Sequence, residues 1–244
     1  MLKEAINRIL ELAEPNIKEI GGSIYSDKPL ERIADGLRAD PIHLTTLTSL
    51  IQYIRNFQSD RKPDLAYIVH VVSPTEVRLL SGLDADRERE VLVTVNAELP
   101  AITFGRYIDN ENMLIMMQSM FVDDAGTDRA AVMKFAGTVT SGTIKEYGDD
   151  GVTQKATIKM GVATKAEGIV PSPCVLRPYR TFLEVEQPTS RFIFRMREGG
   201  GDRVESALFE ADGGAWKYWA KSNVAQYLVK QLNEAGVANL IVIS

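Results

Sequence analysis

Hydrophobic positions change their spacing several times along the chain, and each change predicts a different element. Apolar residues recur every three or four positions between residues 2 and 14 and again between 43 and 58, which predicts two amphipathic helices. From Leu65 the spacing gives way to short β-branched runs separated by turn residues. These runs predict strands within 65–83 and at 90–99, joined by links too short for anything but antiparallel pairing.

The second half of the chain repeats this alternation between runs of helices and runs of strands. The predicted elements are a helix capped by Asp109, a helix at 128–140, a hairpin at 143–161, strands at 174–187, 190–198 and 202–210, a helix at 214–234 and a strand at 237–244. Because strands and helices come in runs, the pattern predicts an α+β fold: antiparallel meanders and hairpins packed with several helices, including a long C-terminal aromatic helix. We expect one domain over 1–244; if it has two lobes, they meet near residue 125.

Composition narrows the class of protein. Of the 244 residues, 45% are hydrophobic and 25% charged, which is typical of a globular chain, and the net charge of −5 disfavours broad binding to polyanions. The single cysteine cannot form an intramolecular disulfide, which fits a reducing compartment. The start of the chain lacks the apolar stretch of a signal peptide, and no segment is apolar enough to span a membrane. We therefore expect a cytoplasmic location.

Few residues are candidates for catalysis or for metal binding. The histidines, His43 and His70, and the lone cysteine are too scattered to predict a triad or a nitrogen and sulfur metal site. Aspartates come in pairs at 84 and 86, 123 and 124, and 149 and 150, and each pair lies in a predicted turn or at a helix end, where aspartate commonly bonds its own backbone. The sequence predicts no enzyme, no metal and no cofactor.

A methionine stripe distinguishes the helix that follows Asp109. Met113, Met116, Met117 and Met120 are spaced at i, i+3, i+4 and i+7, and Phe121 follows directly. A helix that is apolar nearly all round must be covered on most sides. Two interpretations stay open: a central core helix, or an oligomer interface at which flexible thioethers adapt to a second copy.

Arginines alternate along the strand SRFIFRMRE, which raises the question of a phosphate ligand. Glutamates at 184 and 186 on the preceding predicted strand favour cross-strand ion pairs with these arginines and a structural role. The alternative is an anion or nucleotide site that also uses the segment RPYR and the first tryptophan of the last helix. Its candidate residues are Arg177, Tyr179, Arg180, Arg195, Arg197 and Trp216.

The last predicted helix has an aromatic face. Trp216, Trp219, Asn223 and Tyr227 share this face, and Lys217 and Lys221 lie beside it. Such aromatic residues predict a helix docked on the sheet; a ligand surface is the second interpretation.

The C-terminal third resembles a known family. The segments that carry the likeness are VPSPC and LRPYR, the acidic strand FLEVEQP, the strand SRFIFRMREGG and the helix WKYWAKSNVAQYL. Together they resemble the YfdQ-like proteins, an uncharacterised phage and prophage family. The resemblance covers about a third of the chain, from Ile158 to Leu232, and the methionine helix has no counterpart in it. It implies a phage-derived intracellular protein and brings no catalytic residues with it.

These observations lead to one expected function and one alternative. We expect a non-catalytic phage or prophage protein that assembles with itself into a homo-oligomer, as a ring or a closed shell. The alternative is a ligand-binding module that sequesters a nucleotide signal or binds single-stranded nucleic acid.

Overall fold

The computed structural model confirms an α+β fold with a long C-terminal helix. It describes residues 2–28, 38–61, 65–84, 87–140, 143–149, 154–160, 164–169, 172–200, 203–237 and 240–244. Contacts divide the chain into two compact units, Met1–Ala39 and Asp40–Ser244. The division thus falls at residue 39, and the suggestion of two lobes meeting near 125 stays a prediction.

The unit Met1–Ala39 contains one helix and one hairpin. Helix α1 spans Leu2–Ala13, and strands β1 (Ile17–Ile20) and β2 (Ser23–Ser26) pair antiparallel. Gly21 and Gly22 connect the two strands with φ of 62° and 79°, a left-handed geometry that glycine adopts without strain. All eight strand residues are exposed.

The unit Asp40–Ser244 contains the remaining elements. In chain order they are β3 (Ile42–Leu44), α2 (Leu47–Asn56), a 3₁₀ turn (Gln58–Asp60), β4 (Tyr67–Ser73), β5 (Glu76–Ser81), β6 (Val91–Asn96), β7 (Ile108–Asp109), α3 (Asn110–Ser119), α4 (Arg129–Thr140), β8 (Thr143–Asp149), β9 (Gln154–Met160), β10 (Thr164–Ile169), β11 (Cys174–Leu176), β12 (Ser190–Glu198), β13 (Val204–Glu210), α5 (Ala215–Glu234) and β14 (Leu240–Ile243).

A five-stranded sheet organises the first half of this unit. Its strand order is β14-β4-β5-β6-β3; β4, β5 and β6 form the predicted antiparallel meander, and the two outer strands add in parallel. Residues alternate between buried and half-buried along β4 and β5, so one face of the sheet is apolar. Helices α2 and α5 pack there. The buried residues of α2, β4–β6 and α5, with Phe182 and Val185, form the first core.

A four-stranded sheet organises the second half, in the order β11-β12-β13-β7. Strand β12 buries Phe192, Phe194 and Met196 on one face, as the alternation in SRFIFRMRE predicts. Helices α3 and α4 cover that face. The buried residues of α3, α4 and β11–β13, with Phe121, form the second core. Strands β8, β9 and β10 form a separate three-stranded antiparallel sheet, of which the sequence predicted only the first hairpin.

Three predicted boundaries are wrong. The helix predicted at 43–58 begins at Leu47, because residues 42–44 pair with β6 and Thr46 caps the helix. The strand predicted at 237–244 is Leu240–Ile243, and Val237 does not belong to it; residues 238 and 239 lie outside the described part of the chain. The strand predicted at 174–187 ends at Leu176, since Pro178 cannot donate to a ladder and the chain then turns.

A buried glutamine holds the turned segment that follows β11. The side-chain oxygen of Gln187 accepts from the backbone N–H groups of Arg180 and Thr181, and its amide nitrogen donates to the carbonyl groups of Thr181 and Phe182. Backbone groups that a strand would have paired are therefore satisfied by one side chain. As a result, Phe182 and Val185 enter the first core.

Candidate functional site

The methionine stripe lies inside the second core. Asp109 caps α3 by accepting from the backbone N–H groups of Glu111 and Asn112, and this orientation turns the stripe toward α4 and β12. The buried members of the predicted interface are Met113, Met116, Met117 and Phe121, and Met120 packs against them half-buried.

This placement corrects the oligomer-interface interpretation of the stripe. A second copy cannot contact side chains that the chain's own strands and helices already cover. The sequence pattern indicated correctly that the stripe is covered, but it could not indicate which surface covers it. On the other side of α3, Ile115 is exposed, so the helix is not covered all round.

Arg180 is the center of a buried polar cluster between the turned segment and the start of α5. Its side chain is 7% exposed, its Nη1 lies 2.7 Å from Oε1 of Glu210, and its Nη2 donates to Oγ of Ser190. The guanidinium carbon lies 4.0 Å from the ring centroid of Trp216, over the ring. Among the described residues, Nε of Arg180 and Nε1 of Trp216 have no hydrogen-bond partner.

Asp212 links this cluster to the first turn of α5. Its Oδ2 accepts from Oγ of Ser190 at 2.6 Å, and its Oδ1 accepts from the backbone N–H of Gly214 at 3.0 Å. Gly214 caps the helix with φ of 81°, which an L side chain rarely adopts. The guanidinium group of Arg180, the hydroxyl of Ser190 and the two carboxylates are thus joined by hydrogen bonds. We call Arg180, Ser190, Glu210, Asp212 and Trp216 the arginine cluster.

Burial and charge act in opposite directions on the ionisable groups here. Burial lowers the pKa of Arg180 to about 10, although the nearby Glu210 and Asp212 raise it. Burial alone would raise the pKa of Asp212, but hydrogen bonds from Ser190 and Gly214 and the charge of Arg180 lower it overall. Both groups are therefore charged at neutral pH, and each stabilises the other.

We expect the contribution of Asp212 to stability to depend on pH in a defined direction. Because folding lowers its pKa, the contribution is fully present above the unfolded value of about 3.9 and is lost as the pH falls through the folded value. The difference in unfolding free energy between the wild type and Asp212→Asn should be constant from pH 7 to about pH 5 and should then shrink. Urea unfolding at a series of pH values measures it. Asp123→Asn, which removes an exposed partner of Arg129, is the control and should show a smaller difference between pH 7 and about pH 5.

Arg177 and Tyr179, two further members of the predicted anion site, precede Arg180 in the chain. Arg177 pairs with Asp124 at 2.8 Å and with Glu186 at 3.3 Å, so its charge is matched within the chain. Tyr179 is half-buried, and its backbone N–H donates to the carbonyl of Met120. The predicted pairing of Glu186 with an arginine of β12 is wrong, because residues 177–187 do not form a strand beside β12.

Arg195 and Arg197 lie on the face of β12 opposite the second core. Arg197 pairs with Glu205 of β13 at 2.7 Å, and its guanidinium carbon lies 4.0 Å from the ring centroid of Tyr107. Arg195 is half-buried opposite Ala207. The candidate anion residues are therefore split between the arginine cluster and this sheet face, and Arg177, Arg180 and Arg197 each have a carboxylate partner.

The two histidines lie in one row on the face of the five-stranded sheet opposite the first core. His70 is paired with Arg78, Arg78 with Thr94, and Thr94 with His43. Because neighbouring strands are about 4.8 Å apart, the histidines are separated by roughly 14 Å along this row. They cannot act on the same bond or bind the same ion.

Helix α5 docks through a different face from the one predicted. Its buried residues are Ala220, Val224, Leu228 and Leu232, spaced four apart. Trp219 is 60% exposed and Tyr218 is 72% exposed, so of the two tryptophans only Trp216 points into the chain, over Arg180. Small and aliphatic residues allow the close approach to the sheet. Of the predicted aromatic face, Tyr227 packs half-buried against the first core, whereas Trp219 is left on the surface.

A polar cavity of about 450 Å³, which sequence reasoning missed, lies where α2 and α5 end. Its lining residues are Arg55, Asn56, Gln58, Arg61, Ala235, Gly236 and Val237. Nη2 of Arg61 donates to the carbonyl of Ile54 at 3.0 Å, as basic side chains commonly do at helix C-termini. The guanidinium group of Arg61 thus satisfies a carbonyl at the end of α2, and we assign no ligand to the cavity.

Comparisons with known proteins assign neither a family nor a function to this chain. No family model, no curated protein and no solved structure matches the chain. Within the described ranges, no helix combines the length and apolarity that crossing a membrane requires.

Proposed function

We propose that this chain is a non-catalytic protein of phage or prophage origin that assembles with itself into a homo-oligomer. The observation that carries the proposal is the set of large apolar side chains that the chain leaves exposed on the hairpin of β1 and β2, on α5 and on β14. The origin rests on the resemblance to the YfdQ-like proteins alone. Closed symmetric assemblies include two-fold dimers, rings and closed shells.

The N-terminal hairpin supports the proposal because it has apolar residues on both faces. From the pairing of β1 with β2, Ile17 and Ile24 lie on one face and Ile20 and Tyr25 on the other, and all four are exposed. A two-stranded hairpin is marginally stable by itself in water. A surface that covers it would stabilise it, and another subunit of the same chain provides such a surface in many oligomers.

The outward face of α5 supports the proposal by its composition. Tyr218 and Trp219 are in edge-to-face contact with ring centroids 5.8 Å apart, and Val229 is exposed further along the same helix. Aromatic residues are enriched at protein interfaces, where they contribute large contact areas at low entropic cost.

The matched charges of the arginines support assembly over the ligand-binding alternative. Phosphate binding needs guanidinium groups that can exchange water for a ligand, whereas Arg177, Arg180 and Arg197 are paired with carboxylates of the same chain. Binding of a nucleotide or of single-stranded nucleic acid stays a prediction, and the positions of these arginines do not support it further. The separation of the two histidines supports the non-catalytic assignment.

Sedimentation velocity and light scattering at micromolar concentration test the proposal. We expect a particle whose mass is an integer multiple of 27.0 kDa. The double variant Ile20→Lys, Ile24→Lys places one charge on each face of the hairpin, and we expect it to reduce the particle mass without changing the fold, since both side chains are exposed. A wild-type chain that sediments as a single 27.0 kDa species throughout would rule out self-assembly.

A further inference from the structure

Strand β14 occupies an edge of the five-stranded sheet. It pairs with β4 on one side, and no described strand pairs with it on the other. Its sequence, Leu-Ile-Val-Ile, contains no charge and no proline, the two features with which proteins commonly protect an exposed edge. The outer backbone groups of β14 are therefore open to pairing with another strand.

The side chains of β14 divide between the two faces of the sheet. Leu240 and Val242 pack against the first core. Ile241 is 57% exposed and Ile243 is 43% exposed on the opposite face. The register places Ile241 beside Ile68, which in turn lies beside Leu80, so an apolar row crosses the sheet and ends in solvent at the edge strand.

We propose that β14 pairs antiparallel with β14 of a second copy around a two-fold axis perpendicular to the sheet. The two five-stranded sheets then form one continuous sheet of ten strands. This inference rests on the proposed self-assembly and names the surface that performs it. The interface is isologous, so each copy contributes the same strand, and no complementary charge pattern is required.

The alternation of side chains limits the register of this pairing. Directly opposite residues of an antiparallel pair point to the same face, so each outward isoleucine must lie opposite an outward residue. Pairing centred on Val242 meets this condition: Ile241 of each copy lies opposite Ile243 of the other, and Leu240 lies opposite Ser244. The apolar row from Leu80 through Ile68 and Ile241 is then extended by Ile243 of the second copy, and it ends there because Ile243 lies beside His70 in its own sheet.

The opposite edge of the sheet fits a second copy less well. Strand β3 is three residues long, and its exposed His43 lies on the face that carries the apolar row in β14. A histidine interrupts an apolar contact between sheets, and three residues provide few backbone hydrogen bonds. We therefore assign the pairing to β14 alone.

Lysine substitution at the edge tests whether β14 forms an interface. Lysine is a natural protector of edge strands, and the variant Ile241→Lys, Ile243→Lys brings four like charges together in the pairing. We expect its particle mass by light scattering to be half that of the wild type or less. Leu183→Lys, at an exposed apolar position outside the sheet, is the control and should keep the wild-type mass.

The outcomes separate this inference from the proposed function. If the wild type assembles and the lysine variant keeps the same mass, the β14 pairing is wrong and self-assembly stands. If the wild type is a single 27.0 kDa subunit at every concentration, both are wrong.

Disulfide cross-linking tests the register. Residues directly opposite in an antiparallel pair have Cβ atoms about 4.5–5.5 Å apart, within reach of a disulfide, whereas diagonal neighbours are about 7–8 Å apart. We expect Ile241→Cys and Ile243→Cys chains, co-expressed with different tags and oxidised, to form a mixed disulfide dimer. Each variant expressed alone should form little. Cys174 does not compete, since it is buried and burial raises the pKa of its thiol to about 12. Equal cross-linking in all three samples, or none in any, would overturn the register centred on Val242.

Discussion

Replacing Met117 with lysine is expected to unfold the unit Asp40–Ser244. Met117 is fully buried between α3, α4 and the four-stranded sheet, and the new ammonium group would have no carboxylate within this apolar cluster. Burying an unpaired charge is among the few mechanisms that cost more than about 4 kcal/mol of stability. Circular dichroism during urea unfolding measures the loss.

Ile115→Lys is the matched control for this experiment. Ile115 lies on the same helix, two residues away, and its side chain is exposed. Its substitution should change the free energy of unfolding by about 0.5 kcal/mol or less. If Met117→Lys were as stable as this control and lost only self-assembly, the methionine stripe would be an interface after all and its assignment to the second core would be wrong.

Replacing Arg180 with methionine is expected to have the second largest effect. Methionine keeps much of the apolar volume but leaves the carboxylates of Glu210 and Asp212 and the hydroxyl of Ser190 without their guanidinium partner. Removing one member of a buried ion pair typically costs about 3–5 kcal/mol, because the remaining charge is left uncompensated. We therefore expect a loss near the lower end of this range, since Glu210 is partly solvated.

Arg197→Met provides the comparison, because it makes the same exchange in an exposed pair. Arg197 also pairs with a glutamate and also stacks on an aromatic ring, but its side chain is 56% exposed, against 7% for Arg180. An exposed pair contributes about 1 kcal/mol or less. Tryptophan fluorescence should change in the Arg180 variant, which loses its stack on Trp216, and should stay constant in the Arg197 variant. Equal losses of stability would show that burial does not distinguish the two pairs.

The fold class followed from the sequence because it depends on local patterns. The alternation in SRFIFRMRE places Phe192, Phe194 and Met196 on one face of any strand that forms there, and the structure buries these three. Asp109 is a good helix cap in any context, and it caps α3. Errors arose where one side chain decided the backbone structure against the strand pattern, as with Gln187, which satisfies backbone groups of Thr181 that a strand would have paired.

The candidate site was less predictable, since it depends on which residues meet. The sequence identified Arg177, Arg180 and Arg197 as a set because arginine and aromatic residues recur nearby, but it could not assign their partners. Asp124 is 53 positions before Arg177 and Glu210 is 30 positions after Arg180, so neither ion pair leaves a local signal. The cavity between the ends of α2 and α5 has no sequence signal for the same reason.

The sequence by itself determined that this is an α+β chain with an apolar methionine helix that must be covered, because both conclusions follow from periodicity and from the cost of exposing apolar surface. Only the tertiary structure decided that the chain's own sheet covers the stripe, and that Tyr218, Trp219, Ile241 and Ile243 remain outside. The physical reason is that burial depends on contacts between segments that are far apart in the chain. Because the hydrophobic effect is non-directional, an apolar face in the sequence does not indicate which segment will cover it.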